Sequence, residues 1–376
     1  MVHKTKGLFD YFQNREIGEL YASIGLRSFG LGLIAVFIPI FLLKLNYSLK
    51  SIFIFYAIFY GVHALMAVPA VKTGSKYGFK HTMLFSIPFV VLGFILLYTL
   101  EQFNWPLALI GFSWGISSAL FWTGFHVDFA FFSENKKRGS QVGFAKIVAS
   151  GFAFLGPIIG GVVLSLSGFK ILFVVVTLIL LLSAWPLFFS EEITSKTEIS
   201  LREMFSKKRF KDFIGLAGLG IEGGVAAVAW PIFIFTTILG GYASLGLVTS
   251  ITLLSSSVFV FIVGKASDRH RTKILKIGAG FSAVIWAVKS LVTTPFQVFV
   301  IDGFYGAANA ATRVPFDAIS YDKAHKQKSI IKTIAFREIG INVGGAVFFL
   351  IMAFTSNLIG SFIWGGSLGA LLMLLF

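Results

Sequence analysis

Glu222 is the side chain with the most chemistry in reach: it sits among Gly218, Gly220, Gly223 and Gly224 in the middle of a long apolar run. A carboxylate there can bind a proton or a cationic substrate group, and the glycines would expose backbone carbonyls and permit local unwinding. The plainer alternative is a hydrogen bond to a neighbouring helix. Asp302, beside Gly303, Tyr305 and Gly306, can complete an outer gate or a substrate cage. Arg27, Arg337 and Glu338 lie at similar depths in two other apolar runs. An Arg27–Glu338 pair would close one end or bind an anionic group. Adjacent residues face different directions on a helix, so Arg337 and Glu338 are not expected to serve one partner together. His63 is central in its run and can exchange a proton. His126, Asp128, Lys146, Arg313 and Asp317 are further candidates, several of them near run ends where gate pairing or snorkelling is expected. Trp230, next to Pro231, and Tyr305 can stack a sugar ring or an apolar ligand. Charges at such depths are costly and normally line a cavity or pair with one another. Each therefore has a buried ion pair as its alternative.

The elements that must position these groups follow from the composition, 56% hydrophobic with a mean hydropathy of +0.85. About twelve apolar segments fall at 20–43, 52–71, 82–100, 104–127, 141–164, 170–189, 212–238, 243–264, 275–293, 296–317, 330–353 and 357–376. A helix needs about 20 apolar residues to cross the hydrocarbon core. These runs are too long and too uniformly apolar for barrel strands. The expected fold class is an all-α membrane protein of twelve transmembrane helices. Twelve spans consume nearly the whole chain of 376 residues, so no sizeable soluble domain fits.

Of the 32 lysines and arginines, 24 fall in segments that share one side if the spans alternate. Lys44, Lys50, Lys170 and, near a membrane boundary, Lys289 fall on the other. The positive-inside rule then puts both termini in the cytoplasm, with a prokaryotic plasma membrane as the expected location. The net charge of +15 sits in loops, so membrane lipids rather than nucleic acid are the expected anionic partner. No cysteine is present, which excludes disulfides and thiolate metal sites. The polar start has no early apolar stretch, so the first span is expected to act as an uncleaved insertion signal.

The longest loop, 190–211, divides the chain into an N-terminal half at 1–189 and a C-terminal half at 212–376. Its basic second part is either a short amphipathic helix on the membrane face or a solvated linker. Phe37-Ile38-Pro39-Ile40-Phe41 is echoed by Ala229-Trp230-Pro231-Ile232-Phe233, and Tyr47-Ser48-Leu49 by Tyr242-Ala243-Ser244-Leu245. Such offsets suggest a duplicated six-helix unit, which lets a central site open alternately to either side.

Two signatures give this architecture a family likeness. Gly264-Lys265-Ala266-Ser267-Asp268-Arg269, after the eighth span, resembles the cytoplasmic loop motif of the major facilitator superfamily (MFS), with Arg271 where a second glycine is usual. Its first-half counterpart keeps Lys76, Gly78 and Lys80, but has Ser75 in place of the aspartate and Val71 in place of the first glycine. In the fifth span, Gly156-Pro157-Ile158-Ile159-Gly160-Gly161 looks like the motif found in many family antiporters. Glycines there permit close helix approach and the proline bends the helix. The resemblance implies two pseudo-symmetric halves, with Asp268, Arg269, Lys76, Gly78 and Lys80 latching the inner side. It also implies a secondary transporter, not an enzyme, acting as a monomer without a cofactor. The arginine usual in the fourth span of proton-coupled members is missing, with Trp114, Trp122 and His126 present instead.

The substrate stays open. Proton-coupled export of an amphipathic or cationic compound ranks first on Glu222 and the fifth-span motif. Sugars would need more cavity amides than Asn309 and Asn342, and organic anions would need Arg27 or Arg337 unpaired. A lipid transporter, with a groove between spans 5 and 8 or 2 and 11, and a non-transporting sensor or scaffold are the other classes.

Overall fold

Long apolar runs form long helices, because in lipid every backbone N–H and C=O must be satisfied within the segment. In the computed structural model, which describes residues 15–133, 138–188, 194, 206–326 and 329–376, the chain is almost entirely helical. The helices are α1 (Gly18–Lys44), α2 (Leu49–Tyr77), α3 (Phe79–Tyr98), α4 (Leu107–Phe132), α5 (Arg138–Ala153) and α6 (Leu155–Ser183). They continue with α7 (Phe210–Leu239), α8 (Tyr242–Lys289), α9 (Pro295–Lys326), α10 (Ile330–Thr355) and α11 (Leu358–Leu375). Nine segments among the described residues are long and apolar enough to cross a membrane. Polar groups such as Lys146 in α5 and Asp302, Arg313 and Asp317 in α9 accompany the two that fall short. The basic segments 1–14 and 134–137 and most of the 190–211 loop, including residues 195–205 of its expected amphipathic helix, lie outside the described residues, and Lys207–Arg209 form a short 3₁₀ turn.

Two of these helices contain a reversal. In α6, Gly168 is non-helical with φ of +76°, a conformation that favours glycine. Residues on both sides of it meet one short stretch of α1: Ala153 and Gly156 pack on Gly32, while Ile179 and Leu180 pack on Gly30. In α8 the break is at His270. Ser255 donates to the Gly303 carbonyl at 2.6 Å and Lys289 to Asp302 at 2.6 Å, so both arms of α8 meet one turn of α9. The loop expected after the eighth span is thus compressed to little more than one residue. Gly78, with φ of +100°, makes the equally tight turn between α2 and α3.

The core is layered along the helix axes. One apolar layer holds Phe37, Phe41, Phe53, Phe173, Ile232 and Phe348; the other holds Tyr21, Phe79, Phe129, Leu216, Phe316 and Phe336. On their own helices Arg27, His63, Glu222, Arg313 and Glu338 fall between members of the two layers, which makes a polar belt at mid-depth. Outside, Leu65, Leu166, Phe296 and Phe354 are more than three-quarters exposed, as lipid-facing side chains must be.

The glycine signature closes two interfaces. A Cβ on Gly160 would fall 1.9 Å from the Leu33 carbonyl oxygen, and one on Gly161 2.5 Å from that of Tyr242. From the other side, a Cβ on Gly246 would fall 2.2 Å from the Pro157 carbonyl oxygen, and the Ile158 N–H donates to Ser250 Oγ at 3.1 Å. Gly156 and Gly160 therefore pack α6 on α1, while Gly161 and Pro157 pack it on α8. Gly160→Ala is expected to lower the melting temperature in detergent by an overpacking cost of about 1–3 kcal/mol. Gly151→Ala, with open space where its Cβ would go, is expected to be neutral or slightly stabilising.

Candidate functional site

The helices line a cavity of about 700 Å³ at the level of the polar belt. Its wall takes residues from both halves, among them Arg27, Tyr56, Tyr60, Trp114 and Trp122 from one and Trp230, Lys289, Asp302, Tyr305 and Arg313 from the other. A second cavity of about 430 Å³ lies beside it, and Tyr60, Trp122, Lys146 and Arg313 line both.

Glu222 is at the centre of a network internal to the C-terminal helices. It is buried and accepts from Trp286 Nε1 at 3.0 Å, the Tyr305 hydroxyl at 2.5 Å and Arg313 Nη2 at 2.7 Å. Three donors from α8 and α9 thus hold a carboxylate from α7, and a cationic ligand would have to displace Arg313. The expected unwinding beside it does not occur. α7 stays helical through Gly224, and its glycines serve close packing: a Cβ on Gly220 would fall 1.8 Å from the Ile341 carbonyl oxygen. The helix widens one turn later, where the Trp230 N–H reaches back five residues to Val225 just before Pro231. Ala226 and Ala227 on this wide turn line the main cavity.

Asp302 is paired with Lys289, whose side chain has no exposed surface. Trp230 Nε1 also donates to Asp302, at 2.9 Å. The Lys289 ammonium lies 4.0 Å from the Tyr305 ring centre and 4.4 Å from those of Trp230 and Trp286, an aromatic cage. Lys289 is therefore not a boundary residue, and Trp286 fills a helix contact. The signal for Lys289 was available in its position, one tight hairpin away from an intramembrane aspartate.

Several of the remaining polar groups join the N-terminal and C-terminal segments. His63 Nε2 donates to Glu338 at 3.1 Å, and Lys146 pairs with Asp317 at 2.9 Å. His126 Nδ1 and the Tyr321 hydroxyl share a hydrogen bond of 2.6 Å, and His325 Nε2 donates to the Ala130 carbonyl at 2.7 Å. Arg337 bridges Asp317, at 2.8 Å, and Glu338. The expected Arg27–Glu338 pair is not formed, because the α2 histidine rather than the α1 arginine reaches Glu338. Arg337 also folds back onto the adjacent Glu338 carboxylate, while the two residues serve different partners, Asp317 and His63. Lys146 pairs inward instead of snorkelling.

This polar closure is at the basic end of the molecule. The opposite end closes with aromatic rings: Phe53, Tyr56 and Tyr60 lie 6.2, 5.2 and 5.5 Å from Phe349, and Phe37 and Phe169 lie 6.3 and 5.6 Å from Tyr242. Neither set stood out in the sequence, where one phenylalanine among 44 carries no mark.

The loop motifs are placed as follows. Arg271, standing where a glycine was expected, bonds to Asp322 at the end of α9 and lies 4.0 Å from Asp268. Arg269 and Gly264 are on the same arm of α8, and Gly264 abuts Gly143 of α5. Lys80 is fully buried and lies 3.7 Å from Glu19, which ties α3 to α1 within one half. Lys76 is exposed, with its ammonium 4.7 Å from the Tyr77 ring centre.

Comparison with known proteins agrees with this architecture. The sequence profile described as the Major Facilitator Superfamily matches residues 20–214. The uncharacterized protein YqgE of Bacillus subtilis is 24% identical, over 89% of this chain and 82% of its own length. Among solved structures, FucP, an MFS transporter in the outward conformation, superposes with a TM-score of 0.70 at 15% identity, covering 95% of this chain and 96% of that one. A second structure, of the E. coli fucose:proton symporter FucP, gives a TM-score of 0.69 at 17% identity with the same coverage.

Proposed function

This chain belongs to the Major Facilitator Superfamily of membrane transporters, and we propose that it moves a small solute by alternating access through the cavity between its two halves. One observation carries the reading. The cavity lies between two closures of different chemistry, an aromatic one at one end and a network of charges and hydrogen bonds at the other. Two closures that can open independently are what a solute needs to be released on the side opposite to its entry.

Counting the reversals at Gly168 and His270 as loops, and α5 with the first arm of α6 as one crossing, gives a proposed twelve crossings, six on each side of the 190–211 linker. The bends support the duplication. In α1 a tight turn at Ala35–Phe37 precedes Pro39, and in α7 the wide turn at Val225–Ala229 precedes Pro231. Lys80, Lys207, Lys273 and Lys323 mark the basic end, which we place in the cytoplasm on the positive-inside rule. Asp268, Arg269, Lys76 and Gly78 then flank the inner closure. Proton coupling is proposed through the carboxylates of the belt, Glu222 and Glu338, whose partners would have to rearrange on protonation. A lipid groove between α6 and α8 is less favoured, because Gly161 and Gly246 bring those backbones into contact.

The absence of cysteine allows a direct test. Ala227→Cys places the sole thiol on the cavity wall. Alternating access predicts its reaction with a membrane-impermeant maleimide both in right-side-out and in inverted vesicles. Reaction confined to one face, or absent from both, would sink the transport mechanism.

A further inference from the structure

Cations that line the two cavities are matched one after another by carboxylates. Lys289 is held by Asp302 at 2.6 Å, Arg313 by Glu222 at 2.7 Å, Lys146 by Asp317 at 2.9 Å and Arg337 by Asp317 at 2.8 Å. Arg27 is different. It lines the main cavity and is 96% buried, and among the described residues its Nε and Nη1 have no hydrogen-bond partner. Its guanidinium carbon lies 3.9 Å from the ring centre of Phe121, so one face of the planar group rests on the aromatic ring while the N–H groups of Nε and Nη1 are left unsatisfied among the described residues.

We propose that Arg27 is the head-group site of the cavity and that the transported solute is an organic anion, one oxyanion group on a ring or alkyl body. This rests on the transport reading and names its substrate class. A buried guanidinium without a counter-charge is costly, and a ligand oxyanion accepting its N–H groups removes that cost at the moment of binding. Because the other cations are already neutralised, the belt keeps one positive charge for the solute to complete. The opposite reading, a cationic solute on Glu222, must displace Arg313 and add a second charge to a wall that is already positive. The body of the solute has aromatic surface to rest on, from Trp114, Trp122 and Trp230, and Ser28 and Ser118 line the same cavity for further polar contacts. The volume of about 700 Å³ falls within the range of small-molecule sites.

The test uses purified full-length protein and isosteric probes. Benzoate, benzenesulfonate and phenyl phosphate are compared with neutral benzamide, cationic benzylamine and L-fucose by their effect on melting temperature. A solute that binds only the folded state must raise it. At least one of the anions is expected to raise it by a few degrees, with benzamide and benzylamine inert. Arg27→Gln should abolish that shift, and Arg27→Lys, which keeps the charge without the fork, should weaken it at least tenfold in concentration. The unliganded Arg27→Gln protein should melt at or above the wild-type temperature, since an uncompensated charge has been removed; a structural arginine would give the reverse. A fall in that temperature, equal shifts with benzoate and benzamide, or an anion response kept in Arg27→Gln would each overturn the proposal. So would silence from all three anions. If Ala227→Cys still reacts from both membrane faces in that case, transport stands and only the anion assignment falls. A response to benzylamine or L-fucose alone would likewise reassign the substrate.

Discussion

Glu222→Gln is expected to abolish solute movement and to lower stability by about 2–4 kcal/mol. The side chain accepts three hydrogen bonds, from Trp286, Tyr305 and Arg313, and is 2% exposed. A carboxamide has one oxygen to offer and turns two N–H donors toward groups that also donate. Arg313 loses its counter-charge in the same step. The cost stays somewhat below that of a wholly buried broken pair because the Arg313 side chain keeps 23% exposure on the cavity wall. Function suffers for a second reason. Glu222 holds α7 to α8 and α9, so its loss frees the wide turn at Val225–Ala229 that forms part of the cavity wall. Melting temperature and uptake by proteoliposomes check the two effects separately. Glu222→Gln combined with Arg313→Gln should regain part of the stability and none of the uptake. A stable, active Glu222→Gln protein would mean that the network is dispensable.

Lys289→Met is expected to be at least as damaging to the fold, at about 3–5 kcal/mol, because it leaves Asp302 buried with one neutral donor, Trp230. Methionine replaces the lysine stem in volume but forfeits the cation contacts to three rings. Asp302→Asn should cost a similar amount by stranding the ammonium. The double variant Lys289→Met with Asp302→Asn should be more stable than either single one, since no uncompensated charge remains. The coupling from the double-mutant cycle is then well above the 0.3–0.5 kcal/mol or so of independent sites. Simple additivity, read from melting or denaturant curves, would show that the two residues do not act as a pair. The contrast with Arg27 is instructive: removing a paired buried charge should destabilise, whereas removing the unpaired one should not.

These outcomes turn on partnerships that the sequence showed only in part. Glu222, Asp302, Arg337 and His63 were conspicuous because ionisable groups are rare in apolar runs, and each does lie in the polar belt or on the cavity wall. Their partners were not conspicuous. Lys289 read as an edge residue because it sits near the end of its run, and the tight α8–α9 hairpin that brings it to Asp302 is a tertiary fact. Arg27 and Glu338 matched in depth and sign, yet His63 reached Glu338 first, because depth along an axis says nothing about which helix is the neighbour. The glycines of the fifth span promised close approach without saying to what; one set meets α1 and the other meets α8.

The sequence by itself determined that the chain is a bundle of membrane helices, because the hydrophobic effect and backbone hydrogen bonding act locally and leave their mark in every run of twenty residues. It also determined which side chains are anomalous at that depth. Only the tertiary structure decided which anomalies cancel. Pairing depends on the lateral order of the helices and on their relative rotation and axial register, properties of contacts between residues far apart in the chain. Those contacts neutralise Glu222, Asp302 and Glu338 and leave the Arg27 guanidinium on the cavity wall beside Phe121, with Nε and Nη1 unmet among the described residues.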